Sequence, residues 1–353
     1  MSRGLNTHGT IVTAVQDAVM FDLSVVPGDG GRVPIRVAGN VMVNVQKLIS
    51  DIGRGMIAGT LSLQGDVPEG LLSRFTLYID GSVPSVSSSA DLKFESPDNM
   101  LGRALGDMLS LLEKAGNGSV GDIIACYPDP RYRLPIIRDL ISLSNDLDGL
   151  PLRYSADGMK RGLFRPASVV PSLLDKGSDS CFGDIRGILR TSDGDLFLEM
   201  KDGNVPFEFE PGIRPGEDPD SLMDSPCTVG GRIRFSGTGD IERVTDVTKV
   251  DRLKELSFDR MISSDKDLAL RTPLVVNIGY DSDRNHWTIG NRPLGISISK
   301  RFLDDAILEF HDQFVFMWEV YDGNSGKDGR DDDLDDDELQ LHDYIVSIVK
   351  DEE

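Results

Sequence analysis

The chain has little cysteine: three thiols in 353 residues, Cys126, Cys181 and Cys227, with no CxxC pair among them. An odd, scattered set argues against a disulfide framework and for reduced thiols in a cytoplasm. Long apolar runs are also missing, and none approaches the roughly 20 residues a membrane helix needs. The N-terminal stretch MSRGLNTHGTIVTAVQDAV has no basic region leading into an unbroken apolar core, so it does not read as a secretory signal. These absences lead to the expectation of a cytoplasmic, prokaryotic-type protein with no membrane partner.

Histidine is scarce, and the four residues His8, His286, His311 and His342 share no short spacing such as HxxxH. Each reads as a surface or core-edge residue rather than a metal ligand. GxSxG is absent, and no cysteine lies near a histidine in the sequence. Gly116-Asn117-Gly118-Ser119-Val120-Gly121 matches GxGxxG, but a helix pattern precedes it and a strand-like run follows. That order is the reverse of a dinucleotide fingerprint, and a helix-ending loop is the plainer reading. GNSGKDG near residue 323 lacks the GKS or GKT that cradles phosphates. The expectation is no cofactor, no metal and no catalytic centre, apart from one assembled from distant residues.

What is present is acid. Asp and Glu number 59 against 37 Lys and Arg, for a net charge of −22. Such a field opposes sequence-independent binding to a phosphate backbone, so a nucleic-acid partner requires a local basic patch. Residues 131–165 are the one departure: Arg131, Arg133, Arg138, Arg153, Lys160, Arg161 and Arg165 are interleaved with Tyr132, Tyr154 and Phe164. Cations alternating with aromatics suit a nucleic acid or nucleotide. The plainer reading is that these arginines pair with acids on neighbouring elements. At the other extreme stand Asp331, Asp332, Asp333, Asp335, Asp336 and Asp337. No register of that run satisfies the EF-hand pattern. Its acids suit the positive end of a final helix, or a basic protein partner.

The pattern along the chain is α+β, with hairpin–helix (ββα) modules flanking a small barrel. Phe182–Arg190, Asp195–Met200, Val205–Glu210, Thr228–Ser236 and Ile241–Leu253 read as five short strands closed by Asp-Gly turns, as in an OB or SH3-like barrel. Alternation places Arg186 with Arg190, and Arg232 with Arg234, on one side of their strands. Before the barrel, Asp22–Val26 with Arg32–Val37, and Arg74–Asp80 with Ala90–Glu95, read as two hairpins. Their helices follow, with apolar stripes at Val41, Val45, Leu48, Ile49 and Ile52, then at Leu101, Leu105, Met108 and Leu112. Asp122–Tyr127 reads as a buried strand, and Leu134–Leu147 and Val169–Leu174 as helices. After the barrel come a third hairpin and a strongly amphipathic helix through Leu303, Ile307, Phe310, Phe314 and Met317. That hairpin followed by FLDDAILEFHDQFVFMWEVYD resembles the strand–strand–helix of small HicB-like antitoxin domains. The resemblance carries no functional residues across.

Three domains follow: 1–176, α+β with the arginine-rich segment; 177–256, the barrel; and 257–353, hairpin and helices with an acidic loop. The expected function is a non-enzymatic regulatory or interaction protein that meets a protein partner through its acidic C-terminal segment. The alternative is nucleic-acid or nucleotide binding through the arginine segment and the barrel.

Overall fold

A computed structural model describes residues 21–27, 33–77, 90–94, 99–156, 162–166, 180–209, 219–236, 239–264, 266–322, 344–345 and 347–349. It is a mixed α/β structure in which the described residues form six α-helices, two open four-stranded sheets and a closed five-stranded barrel.

Strand β1 (Phe21–Val25) is followed by the long helix α1 (Ile35–Leu61) and the single turn α2 (Glu69–Leu72). The expected hairpin Asp22–Val26/Arg32–Val37 is corrected here. Pro34, with φ −61°, takes the N-cap position, and its fixed backbone launches a helix rather than a strand. The apolar stripe Val41, Val45, Leu48, Ile49 and Ile52 is buried as its spacing predicts. Arg74–Asp80 does not open as a strand either: Ser73–Phe75 is a 3-10 turn that buries Phe75.

Strands β2 (Ala90–Phe94), β3 (Leu152–Ala156) and β4 (Gly162–Phe164) complete the first sheet in the order β2-β1-β3-β4. β1 therefore pairs antiparallel with both β2 and β3, joining Leu23 to Leu92 on one side and Tyr154 on the other. Helices α3 (Asn99–Gly116), α4 (Val120–Cys126) and α5 (Pro130–Asp146) lie between β2 and β3. Of Asp122–Tyr127, expected as a strand, all but Tyr127 lie in α4, and Tyr127 is its C-cap. A short apolar run carries no period of its own. Here Gly118, at φ +70°, turns the chain out of α3 and straight into another helix. The expected helix Val169–Leu174 lies outside the described residues.

The barrel is built from β5 (Ser180–Ser192), β6 (Asp195–Met200), β7 (Gly203–Phe209), β8 (Pro226–Phe235) and β9 (Ile241–Arg252). Its cyclic order is β5-β6-β7-β9-β8, with every pairing antiparallel except β7 against β9. All five strands fall where alternation and turn residues place them. Asp193, at φ 55°, and Gly194, at φ 92°, are the central pair of the first hairpin turn and take the left-handed conformations that such a turn requires.

After the barrel, β10 (Glu255–Ile262), β11 (Asp267–Asp281), β12 (His286–Asn291) and β13 (Ile296–Lys300) form a meander. The expected third hairpin is thus the latter half of a four-stranded sheet. Helix α6 (Leu303–Asp322) closes it, burying Ala306, Ile307, Phe310 and Phe314. Of the expected final helix, Tyr344, Ile345, Ser347 and Ile348 are helical, and Val349 bridges Leu270.

Two hydrophobic cores result. One runs continuously from β1, α1, α3 and α5 into β10–β13 and α6. The other lies inside the barrel around Ile185, Leu198, Phe207, Val229 and Val247. A short loop after α1 ties the barrel to this body. Gln64 Oε1 accepts from the Arg186 N–H at 2.8 Å, and the Ser62 carbonyl accepts from the Arg186 guanidinium at 3.1 Å. Asp304 at the start of α6 accepts from the N–H groups of Gln64 (3.1 Å) and Gly65 (2.7 Å).

Candidate functional site

The cations of residues 131–165 are spread over several elements. Asp129 caps α5 by accepting from the Arg131 N–H at 2.8 Å. The same carboxylate holds the Arg131 guanidinium, with Nη2 at 2.7 Å, while Nη1 donates to the Gln64 carbonyl at 2.5 Å. Arg131 also stands over the rings of Tyr132 and Phe235, 5.4 and 5.7 Å from their centroids. Arg133 is buried and donates to the carbonyls of Tyr127 (2.9 Å) and Pro128 (2.7 Å), satisfying acceptors just beyond α4. Both side chains therefore have internal partners. Arg138 on α5, Arg153 on β3 and Arg165 after β4 are exposed on separate elements. Lys160 and Arg161 lie outside the described residues, as do Asp331, Asp332, Asp333, Asp335, Asp336 and Asp337.

A tighter grouping sits on the barrel. Strands β5, β8 and β9 are neighbours, so their outward residues form rows across three strands. One row reads Ser180, Arg234, Arg243, and the next Phe182, Arg232, Thr245. Arg234 and Arg243 are directly opposed and exposed, and no ion pair forms at either among the described residues. Like charges facing each other across an antiparallel pair destabilise it. Phe182 is 64% exposed, far more than an aromatic ring needs on a strand with a core to fill. The Arg232 guanidinium covers one of its faces at 4.4 Å and is held by Asp246 at 2.8 Å.

The other side of the barrel has the opposite character. Along β6 and β7 the outward residues include the exposed Pro206 and Glu208, and Glu199, whose carboxylate is paired with Arg190. Farther along the first face, Lys249 is paired to Asp184 at 3.2 Å. Among the described residues, Arg234 and Arg243 stand together without an ion pair at one end of the β5–β8–β9 face. Arg190, expected beside Arg186, is occupied: it pairs with Glu199 at 2.9 Å and with Asp224, and reaches the Tyr280 hydroxyl at 3.2 Å.

Nucleophilic chemistry finds no support at this end. Burial, with the nearby Asp129 carboxylate, pushes the Cys181 thiol up to about 11, against the opposing pull of Arg131 and Arg133, so it stays protonated. Among the described residues no group of three or more His, Cys, Asp or Glu is placed to hold a metal ion. No helix of the described residues is long and apolar enough to cross a membrane. What the geometry defines is a small closed barrel with a cationic, aromatic corner on an otherwise acidic chain. Comparisons with protein-family profiles, with curated proteins and with solved structures find no match to this chain.

Sequence reasoning placed Arg232 and Arg234 together but passed over Phe182 and Arg243. The available signal was strand alternation: once β5 is set against β8, Phe182 falls opposite Arg232. The register that decides this comes from the whole barrel and not from either strand alone.

Proposed function

We propose that this chain is a cytoplasmic binding protein for single-stranded nucleic acid, and that the outer face of β5–β8–β9 is its interface. The observation carrying this reading is the opposed pair Arg234 and Arg243, one row from an exposed Phe182 backed by Arg232. Two guanidiniums side by side, with no ion pair at either among the described residues, are stabilised by a phosphate between them, because each gains a charge-assisted partner and their mutual repulsion is relieved. The free face of Phe182 offers a platform for an unpaired base, an interaction worth about 1–3 kcal/mol. A duplex keeps its bases stacked inward and leaves that platform idle.

The barrel assignment within this proposal is OB-like. In its favour is the closure of the third strand against the fifth in parallel, with the fourth returning to the first. The proposed organisation places this barrel, residues 177–256, between 1–176 and 257–353. The core shared by the two flanking parts supports reading them as one body. The final strand pair with α6 supports a hairpin–helix module there.

Salt dependence and substitution test the function. A fluorescein-labelled oligodeoxythymidylate should bind at low ionic strength, with an affinity that falls as salt rises. In the Arg234→Ala/Arg243→Ala variant the slope of log K against log salt should shrink by about 1 for each phosphate that is no longer neutralised. Phe182→Ala should weaken binding about tenfold with little change in slope, consistent with one base left unstacked. Equal affinity for duplex DNA, or indifference to all three substitutions, would overturn the proposal. Selective binding of a poly-glutamate peptide instead would make the partner an acidic protein.

A further inference from the structure

The cationic corner of the β5–β8–β9 face is small, and its limits decide which part of a strand it can hold. Three rows cross these strands in turn: Ser180, Arg234 and Arg243; Phe182, Arg232 and Thr245; then Asp184, Gly230 and Lys249. Successive rows are two residues apart along β5 and β8, or about 7 Å. In the first row neither guanidinium has an ion pair among the described residues. The cations of the next two rows are engaged, Arg232 by Asp246 at 2.8 Å and Lys249 by Asp184 at 3.2 Å. Asp184 also lies across the bare backbone of Gly230, where an added Cβ would stand 2.5 Å from its Oδ1. A second phosphate laid along the face beyond Phe182 would therefore have to displace Asp184 from Lys249. Toward β7 the exposed acids Glu208 and Glu242 oppose a passing backbone as well.

Two guanidiniums in one row are more than an internal phosphate requires. A phosphodiester inside a strand brings a single negative charge and two free oxygens, and it is followed by further phosphates that this face does not accommodate. A terminal phosphomonoester carries about −1.5 to −2 charges near pH 7 and three strong acceptor oxygens. It supplies a charge for each guanidinium and oxygens enough for both forks. One row away, the free face of Phe182 meets the base adjoining that phosphate, while Arg232 backs the other face at 4.4 Å.

We infer that this corner holds the phosphorylated end of a single strand, with the terminal phosphate between Arg234 and Arg243 and the adjoining base on Phe182. The inference rests on the single-strand reading of this face and narrows it from any stretch of strand to a strand end. The same phosphomonoester chemistry stands at a 5′ or a 3′ end, and separate probes distinguish them.

The test is a fluorescence-anisotropy titration of the full chain at low salt with oligothymidylates of equal length, each carrying an internal dye. The probes are 5′-phosphorylated, 3′-phosphorylated, hydroxyl-ended at both termini, and covalently circular. A phosphorylated end should bind about tenfold tighter than the hydroxyl-ended strand or the circle, the effect of one added charge-assisted hydrogen bond. On a chain of net charge −22, extra negative charge without a site to receive it weakens binding, so a gain is diagnostic. The probe that gains identifies the end, and an equal gain at both assigns the phosphomonoester whatever the strand's direction. In Arg234→Ala/Arg243→Ala the advantage should vanish. Both side chains are exposed and face each other as like charges, so their loss leaves the fold intact. Equal binding of all the probes by the wild type would overturn the inference and leave the single-strand reading standing. An advantage that survives in the double variant would put the phosphate elsewhere and overturn it too, and binding of no probe would overturn both.

Discussion

Replacing His311 with Gln removes a titrating group from one of the driest places in the protein, and the effect on stability can be worked out in advance. His311 has no exposed surface on α6, and its ring meets Phe258 edge to face with centroids 4.6 Å apart. Nδ1 accepts the Ile262 N–H at 3.1 Å, which assigns the proton of the neutral ring to Nε2, an atom with no partner among the described residues. Charging this ring inside the core is costly, and burial lowers its pKa from 6.5 to about 3. The unfolded chain takes up the proton near the ordinary value while the folded one excludes it. The contribution of His311 is therefore fully present above pH 6.5 and is lost as pH falls toward 3. At 1.36 kcal/mol per pH unit, the loss between pH 7 and pH 5 is about 2 kcal/mol. Urea unfolding of wild type and His311→Gln at both pH values measures it as a difference of differences, in which every other titrating group cancels. The variant should be less sensitive to acid by about 2 kcal/mol, whatever its own stability at pH 7. Equal sensitivity in the two proteins, or an imidazole that titrates near 6.5 in the folded state, would refute the burial argument.

Further outcomes follow from the same reasoning. Asp139 on α5 faces Asp51 on α1, and burial together with that neighbouring carboxylate raises its pKa to about 7. A raised carboxyl stabilises the fold when protonated and loses that contribution as pH rises through 7, so Asp139→Asn should raise the melting temperature more at pH 8 than at pH 5. Asp304→Ala strips the acceptor from the Gln64 and Gly65 N–H groups, which should cost about 2 kcal/mol and speed thermolysin cleavage before Leu63 in the loop after α1. A Cβ added at Gly231 would lie 2.8 Å from the Thr245 carbonyl and 2.9 Å from a Val244 methyl. Gly231→Ala should therefore destabilise the barrel by about 1–3 kcal/mol, read as a lowered urea midpoint.

Local patterns carried the barrel and the main helical stripes. Asp193-Gly194 demands a tight hairpin, and the spacing of Val41, Val45, Leu48 and Ile52 admits only a helix with one buried face. The first sheet was hidden because β1 pairs with strands far along the chain, and no local feature distinguishes that from a hairpin with its immediate neighbour. Asp122–Tyr127 misled for a related reason: six residues with one buried position, Ile123, fit either period. The candidate site divides in the same way. Strand alternation grouped Arg232 with Arg234, whereas the exposure of Phe182 and the opposition of Arg243 depend on barrel register. The engagement of Arg131 by Asp129 and Gln64, and of Arg133 by the carbonyls beyond α4, depends on loops whose path no periodicity records. Composition still bounded the outcome, since a net charge of −22 confines any polyanion site to a small local corner.

Photocrosslinking tests that corner most directly. An oligothymidylate carrying 5-iodouracil, irradiated with the full chain at low salt and analysed by mass spectrometry, should attach at Phe182, in the β5 peptide beside Arg232. Crosslinks confined to residues 131–165, or none at any protein concentration at which the oligonucleotide is otherwise retained, would contradict the account.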